Sequence, residues 1–246
     1  MKTREVKEIY NRQVSEKFSG DYEHARWFSS PVKKAGYEMT KKTIFRRLLD
    51  KGTQIFSYLE LGPGAGTWTK IFYENNPGAY FFLIDISSEM LKLARKKLPE
   101  GDNVKYWEGD FLDFKAGERF DFFFSCRAFE YLPDKELAAA KINELLKPGG
   151  TGFIITKTPK YLRSRLLGRK VGKLHAGQIA PGKLKNIFEK AGFTDIEIYP
   201  TTMVFPFLGI AALDKFLFFI FSPFKLNILS QFFSESYCVK FRKAES

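Results

Sequence analysis

The sequence predicts an α/β fold, in which a mostly parallel β-sheet lies between layers of helices. From residue 54 onward, short apolar runs alternate with helical patterns, as in repeated strand–loop–helix units. Several runs are almost continuously apolar, as expected for strands that are buried on both faces. The 246 residues allow a sizeable core, and 44% hydrophobic with 28% charged residues is typical of a globular protein. We therefore expect one domain over residues 1–246.

The first 50 residues are expected to form a helical cap on this domain. Apolar residues at spacings of four predict the buried face of a first helix, namely Tyr10, Val14 and Phe18. A second helix is predicted over about 37–50. The segment Trp27-Phe28-Ser29-Ser30-Pro31 between them is interpreted as a loop, because proline disfavours helical backbone at the residue before it.

Seven strands are predicted in the rest of the chain. They are Ile55–Leu61, Tyr80–Asp85, Val104–Glu108, Phe120–Ser125, Gly152–Lys157, Asp195–Thr201 and Tyr237–Arg242. Helices are predicted between them, notably Ser88–Leu98, Lys135–Leu146 and Lys183–Ala191. A cofactor-binding core is expected over 51–157. Two insertions follow it, a basic one over 158–182 and a Phe-rich one over 203–233.

A glycine-rich loop follows the first predicted strand. Gly62, Gly64 and Gly66 allow the backbone to turn sharply and allow a ligand to approach main chain that has no Cβ. The helix that opens at Thr67 would direct its first amides at that ligand. The dinucleotide fingerprint has glycine at its first, third and sixth positions, whereas here the fifth position is glycine and the sixth is Thr67. This spacing argues against NAD or FAD.

Acidic residues end the next two strands. Asp85 closes the second strand, where a carboxylate can accept hydrogen bonds from both hydroxyls of a ribose, although a helix-capping role is the alternative. Asp110 and Phe111 follow the third strand and could hold an adenine amino group and ring face. The fourth strand ends at Ser125, and the loop after it, which includes Arg127, would meet both cofactor and acceptor.

The order of these motifs resembles that of the class I S-adenosylmethionine-dependent methyltransferases. It is most similar to the small-molecule enzymes of the ubiquinone and menaquinone biosynthesis type, the methyltransferase type 11-like branch. The motifs that match are the glycine loop, Asp85, Gly109-Asp110-Phe111, the segment 127–134 and Leu146-Lys147-Pro148-Gly149-Gly150. The resemblance is specific over residues 55–157. It implies a Rossmann-like sheet of seven strands, mostly parallel, with the last strand antiparallel.

The resemblance also implies a cofactor and a set of binding residues. The cofactor would be S-adenosylmethionine, with S-adenosylhomocysteine as product. Glu60 and the glycine loop would approach the methionine amino group, and Asp85 would hold the ribose. Ile86 would flank the adenine, with Asp110 and Phe111 on its other side. The remaining cofactor-binding candidates are Ser125 and Arg127.

Methyl transfer from a sulfonium is an in-line displacement, so the protein mainly aligns the reactants and excludes water. A general base helps when the acceptor is an oxygen or an acidic carbon. The candidates are His175 in the basic insertion, with Glu130 and Tyr131 after the fourth strand. Many relatives have a histidine in the loop where this sequence has Phe129-Glu130-Tyr131, so the acceptor atom stays open. The alternative to a catalytic role for His175 is a purely structural one.

The charge pattern suggests an anionic partner. The formal net charge is +12, and the segment 145–188 has ten lysines or arginines and no acidic residue. The basic insertion could contact an anionic substrate or lipid headgroups, or be a solvated loop. The Phe-rich insertion is too interrupted to span a bilayer. It could be a lid over a hydrophobic acceptor, a membrane-surface anchor, or a cover for the core or a dimer interface.

The expected function is methyl transfer to a small, hydrophobic or anionic, lipid- or quinone-like acceptor. A nucleic-acid methyltransferase is the alternative that the charge favours, but the Asn-Pro-Pro-Tyr-like run of amino-group enzymes is absent. A non-catalytic cofactor-binding subunit is a second alternative. Two cysteines without paired or metal-like spacing, and an N-terminus without an apolar signal core, favour a reduced cytoplasmic setting and no metal site.

Overall fold

One mixed sheet forms the centre of the molecule, with its strands in the order β3-β2-β1-β4-β5-β7-β6. The computed structural model describes residues 3–12, 21–99, 101–159, 177–205 and 208–245. The strands are β1 Ser57–Leu61, β2 Tyr80–Asp85, β3 Val104–Glu108, β4 Phe120–Cys126, β5 Leu146–Lys157, β6 Phe193–Met203 and β7 Ser234–Lys243. The first five pair in parallel, and β7 is antiparallel to both β5 and β6. The predicted seven-stranded, mostly parallel sheet with an antiparallel last strand is confirmed.

Helices cover both faces of the sheet. They are α1 Thr3–Arg12, α2 Pro31–Arg47, α3 Thr67–Asn75, α4 Ser88–Lys97, α5 Lys135–Leu145, α6 Pro181–Lys190, α7 Ala211–Phe221 and α8 Ile228–Phe233. On one face, Tyr58 and Phe122 pack with α2 and α3. On the other face, Leu59 and Phe123 pack with α5 and α6. Alternate residues of β1 and β4 therefore enter two separate cores, which explains why these strands are apolar throughout.

The start of α2 differs from the prediction. The helix begins at Pro31 rather than at about residue 37, because Ser30 caps it by accepting a hydrogen bond from the Lys33 amide at 3.3 Å. Proline is well suited to the first helical position, where its missing N–H is not needed. The residues His24–Phe28 form a turn of π-helix. The interpretation of the segment from Trp27 to Pro31 as a loop was therefore wrong at both ends.

Other predictions fall partly outside the described residues. Of the three apolar residues predicted to share a helix face, Tyr10 lies on α1, whereas Val14 and Phe18 are outside the described part of the chain. The basic insertion is described only at its ends. The Phe-rich insertion forms α7 and α8, which lie between β6 and β7. Within the described ranges, none of the helices has the length and apolar character needed to cross a membrane.

Candidate functional site

A pocket of about 970 Å³, including its solvent-open mouth, lies at the carboxyl ends of β1, β2 and β4. This edge of an open parallel sheet is where ligands bind, because the loops after neighbouring strands diverge there. The N-terminal elements close the opposite side. Its walls include Val6, Tyr10, Tyr22, Arg26, Trp27, Gly62, Gly64, Thr67, Asp85, Ile86, Met90, Asp110, Phe111, Cys126, Arg127 and Tyr131.

The glycine loop forms the floor of the pocket. Gly62, Gly64 and Gly66 all have positive φ, at 70°, 56° and 74°. A Cβ on Gly62 would lie 2.2 Å from the Cβ of Ala128, so only glycine fits between the loop and the segment after β4. A Cβ on Gly64 would meet open space. Gly62 and Gly64 line the pocket, whereas Gly66 faces α4 and begins α3.

Asp85 lies beside this loop at the end of β2. Its Oδ2 accepts a hydrogen bond from the Gly64 amide at 3.2 Å, and its Oδ1 accepts one from the Ser87 amide at 2.9 Å. Burial raises the pKa of Asp85 to about 6, although hydrogen bonds from the Ser87, Gly64 and Ile86 amides lower it. The carboxylate is thus fixed by backbone donors at the pocket wall. The alternative role predicted for Asp85 was that of a helix cap. Ser87, and not Asp85, is the residue that caps α4.

Ile86, Asp110 and Phe111 lie on the same side of the pocket as Asp85. Asp110 follows β3, and its Oδ1 accepts a hydrogen bond from the Leu112 amide at 3.1 Å, which fixes the carboxylate at the start of a short 3₁₀ turn. Phe111 is buried and packs against Phe123 of β4. The structure therefore brings together an apolar surface and two carboxylates at the ends of adjacent strands.

Two cofactor candidates, Glu60 and Ser125, do not line the pocket. Ser125 is buried and donates a hydrogen bond to the Leu61 carbonyl at 3.1 Å, which ties β4 to β1. Glu60 lies behind the glycine loop, and its Oε2 accepts hydrogen bonds from Thr69 at 2.7 Å and Tyr58 at 2.9 Å. Burial raises the pKa of Glu60 to about 8, although these two hydrogen bonds lower it. Within the described chain, its buried Oε1 has no hydrogen-bond partner.

The helical cap expected from the first 50 residues closes the side of the pocket opposite the sheet, but the residues that line this wall were not predicted from the sequence. Helix α1 crosses the carboxyl ends of three strands and is held there by polar contacts. Lys7 pairs with Glu108, the last residue of β3, at 2.6 Å, and Asn11 accepts a hydrogen bond from Ser87 at 2.6 Å. Tyr22, Arg26 and Trp27 continue this wall. The sequence signals for this wall were the spacing that predicts a helix containing Tyr10 and the aromatic residues in an otherwise polar N-terminus.

Tyr10 and Tyr131 meet across the pocket. The Tyr10 hydroxyl donates a hydrogen bond to the Tyr131 hydroxyl at 2.9 Å, and the two rings are edge to face at 5.8 Å. Burial raises the pKa of both phenols, and for Tyr131 the nearby Glu130 raises it further. At neutral pH both hydroxyls are therefore protonated. The Tyr10 proton is used in the bond to Tyr131, so the Tyr131 hydroxyl is the one that can donate a hydrogen bond to a ligand.

Glu130, the second candidate base, lies outside the pocket wall. It is buried, and its Oε2 accepts a hydrogen bond from the Lys157 amide at 3.2 Å. The Arg127 guanidinium lies 3.6 Å from the same oxygen. Burial alone would raise the pKa of nearby Glu235, but the charges of Lys157 and Arg127 outweigh it and lower that pKa. These four charged side chains hold the loop after β4 against β5 and β7.

Arg127 belongs to both this charge network and the pocket. It has a φ of 64°, unusual for a side chain with a Cβ, and its amide donates to the Ile155 carbonyl at 2.8 Å. This backbone conformation places Arg127 at the pocket wall and beside Glu130. His175, the third candidate base, lies outside the described residues, as do most of the basic side chains of its insertion.

The chain is similar to methyltransferases in sequence. Residues 59–150, which contain the glycine loop, Asp85, Asp110 and Arg127, match the family model described as a methyltransferase domain. A malonyl-[acyl-carrier protein] O-methyltransferase of Ilyobacter polytropus is 24% identical over 102 residues, covering 42% of this chain and 39% of the relative. A demethylmenaquinone methyltransferase of Staphylococcus aureus is 28% identical over 188 residues, covering 66% of this chain and 77% of the relative.

The fold is also similar to that of solved methyltransferases. A Thermotoga maritima protein described as an S-adenosylmethionine-dependent methyltransferase superimposes with a TM-score of 0.68 at 18% identity, covering 97% of this chain and 99% of that one. The chain spans about two fifths of the length of the curated relatives that match its central segment. The sequence match thus centres on the segment that forms the pocket floor.

Proposed function

We propose that this chain, which contains a class I methyltransferase domain, transfers a methyl group from S-adenosylmethionine to a small-molecule acceptor. The observation that supports this most strongly is the pair of the glycine loop and Asp85 at the pocket floor. The positive φ of Gly62 and Gly64 brings backbone into the pocket, and Asp85 lies within hydrogen-bond distance of the Gly64 amide. The match of residues 59–150 to the methyltransferase domain model supports the same conclusion.

The residues present fit this cofactor. Gly64 lines the pocket, and a Cβ there would enter open space that a ligand could otherwise use to approach the backbone. Asp85 presents a carboxylate for two ribose hydroxyls. Asp110 and Phe111, with Ile86, offer an acceptor and apolar surfaces for an adenine. The unpartnered Oε1 of Glu60 lies behind the loop, where a water could connect it to the methionine amino group. When bound, the cofactor supplies an electrophilic methyl group on a sulfonium.

The protein's own contribution to the reaction is alignment and exclusion of water. Helix α1 places Val6 and Tyr10 over the pocket, and Tyr131 faces Tyr10 from the loop after β4. With its raised pKa, Tyr131 acts as a hydrogen-bond donor that orients the acceptor rather than as a base. Glu130 acts as a positioning residue through Arg127, and His175 stays a candidate base.

The acceptor that fits this pocket combines apolar surface with a negative charge. Trp27, Met90 and Leu132 give the pocket apolar walls, whereas Arg26 and Arg127 provide two cations. Asp85 and Asp110 repel anions, whereas the two arginines can bind a carboxylate, either of the methionine moiety or of the acceptor. We infer a small acidic or quinone-like acceptor, in keeping with the malonyl and menaquinone substrates named for the two relatives.

Labelled S-adenosylmethionine incubated with the protein and a metabolite and lipid extract tests this proposal. We expect label in a small organic product with the wild type and none with an Asp85→Ala variant. Total RNA serves as the second substrate pool, because the net charge of +12 favours a nucleic-acid acceptor as the alternative. Label found in RNA alone would show that the acceptor is a nucleic acid and not a small molecule. Cofactor binding without transfer to either pool would favour a non-catalytic subunit.

A further inference from the structure

The outer surface of α7 and α8 is apolar, and it lies apart from the proposed cofactor site. Most of the large apolar side chains that the described residues expose belong to this one segment. They are Leu208, Ile210, Phe216, Phe219, Ile220, Phe224, Ile228, Leu229 and Phe232. We call this set the apolar platform. Phe219 is 72% exposed and Ile228 is 91% exposed. Single exposed apolar side chains are common on protein surfaces, but a group of them in one segment is typical of an interaction surface.

The periodicity of α7 shows that its exposed apolar side chains form a face separate from the one that packs against the protein. On α7, Leu217 and Phe218 are buried against Ala35 and Met39 of α2. Phe216, Phe219 and Ile220 lie on the opposite side and are exposed. A helix that covers a globular core normally has polar residues on that outer side. Helix α7 therefore has one apolar face for the protein and another for an external apolar medium.

The exposed charges within the segment 208–233 itself are positive. Over residues 208–233 the only acidic residue is Asp214, which is buried and accepts a hydrogen bond from the Phe205 amide at 2.6 Å. The lysines of the segment, Lys215 and Lys225, are exposed and form surface ion pairs with Glu38 and Glu197. Along the neighbouring helix α2, Lys34 and Lys42 are exposed and flank Glu38, which pairs with Lys215.

We propose that the apolar platform docks on the surface of a membrane that contains anionic lipids. Phenylalanine and aliphatic side chains would enter the boundary between headgroups and acyl chains, and the flanking lysines would contact the headgroups. Helix α7 is 11 residues long, about 16 Å, so the platform lies on the membrane rather than across it.

Charge also argues against a second copy of this chain as the occupant. A symmetric dimer through the platform would bring together the same lysines from two chains that each have a net charge of +12. An anionic surface turns the same charges into attraction. The anchoring contacts are separate from the exposed face, because Arg46 and Arg47 donate hydrogen bonds to Ser222 at the end of α7. The platform can therefore be altered without loss of its attachment to α2.

Co-sedimentation with vesicles of equimolar phosphatidylcholine and phosphatidylglycerol tests the proposal. The test variant combines Phe216→Ser, Phe219→Ser and Ile228→Ser. The matched control combines Phe56→Ser and Leu137→Ser, two exposed side chains on other parts of the surface. We expect the wild type and the control to pellet with the vesicles, and the partition of the test variant to fall about tenfold or more. Pure phosphatidylcholine vesicles should bind the wild type more weakly.

The proposal is overturned if the wild type does not pellet with anionic vesicles or if the test variant binds as the wild type does. It is also overturned if light scattering shows a wild-type dimer that the test variant dissociates without any vesicle binding. Thermal unfolding of each variant checks the fold, since these side chains are exposed and their replacement should leave the melting temperature nearly unchanged. No result depends on methyl transfer, so failure of the proposed function would leave this test intact.

Discussion

At the scale of single residues, the site depends on side chains and glycines whose environment leaves few alternatives. Asp85 is held by two backbone amides, and Gly62 is pressed against Ala128. Both were predicted from the sequence, because a loop that must turn sharply requires glycine and a ribose requires a carboxylate at the adjacent strand end. Tyr22 and Arg26 could not be predicted, because their place in the pocket depends on how the N-terminal segment docks.

The raised pKa of Asp85 predicts a pH-dependent cofactor affinity. Ribose hydroxyls donate to the ionised carboxylate, so affinity should be full well above pH 6 and fall by up to about tenfold at pH 5. Calorimetric titration of S-adenosylhomocysteine between about pH 5 and about pH 8 measures this. An Asp85→Asn variant should bind weakly with a flat profile. A wild-type affinity that rises toward acidic pH would contradict the assignment.

Glu60 makes a prediction about stability rather than binding. Its pKa is about 8 in the folded chain and near its ordinary value when unfolded, so between these values unfolding releases a proton. The free energy of unfolding should therefore fall as pH rises through this window, by up to about 1.4 kcal/mol per pH unit from this group.

A Glu60→Gln variant isolates this contribution, because glutamine resembles the protonated carboxyl and cannot titrate. In the absence of cofactor, denaturant unfolding at about pH 6 and about pH 8 should show a smaller pH dependence for the variant than for the wild type. Equal slopes for the two proteins would show that Glu60 is ionised in the folded chain.

Gly62→Ala tests the close approach at the pocket floor. The added Cβ would lie 2.2 Å from Ala128 at a φ of 70°, so we expect the free energy of unfolding to fall by about 2–4 kcal/mol, together with cofactor affinity. Chemical denaturation measures the first quantity. Gly117→Ala is the matched control, because a Cβ there would meet open space and the φ is not positive. If both variants lost similar amounts of unfolding free energy and cofactor affinity, Gly62 would have no special role at the pocket floor.

At the scale of secondary-structure elements, helix α1 covers the pocket as a lid whose described side chains are mostly half-buried or exposed. It is held by the Lys7–Glu108 pair, the Ser87–Asn11 hydrogen bond and the Tyr10–Tyr131 hydrogen bond. Only Val6 of its side chains is fully buried among those described. Such an element opens locally at a much lower free energy than the sheet does.

Hydrogen exchange therefore should be fast for the amides of 3–12 and slow down when S-adenosylhomocysteine is added. Helix α5, which packs on the far core and does not line the pocket, is the internal control and should not change. Exchange of α1 that is as slow as that of α5 before addition would contradict the lid. If the exchange rate of α1 did not change after addition of S-adenosylhomocysteine, α1 would not be part of the cofactor site.

The elements also show which sequence patterns were informative. Strands β2 and β3 were predicted with their observed limits, because each is a short apolar run bounded by turn residues. The start of α2 was missed because Pro31 was interpreted as a break rather than as the first helical residue. Helices α7 and α8 were not predicted as helices, since α7 is apolar on both sides and therefore lacks the alternation of polar and apolar faces that marks a surface helix.

At the scale of the whole molecule, the chain has two separate functional surfaces. One is the pocket at the carboxyl edge of the sheet, and the other is the apolar platform beside β6. Helix α2 connects them, because it begins a few residues after Trp27 of the pocket wall and packs against α7 through Met39. A hydrophobic acceptor dissolved in a membrane would be close to both. The acceptor itself could not be predicted from the sequence, because its pocket wall is assembled from distant segments.

Calorimetric titration of S-adenosylmethionine into the purified chain is the most direct test of the central claim. We expect one cofactor to bind per chain with a dissociation constant on the order of micromolar, and an Asp85→Ala variant to bind at least about tenfold more weakly. The fold of the variant should be unchanged by circular dichroism. Absence of binding to the folded wild type, or equal affinity in the variant, would contradict a cofactor site formed by the glycine loop and Asp85.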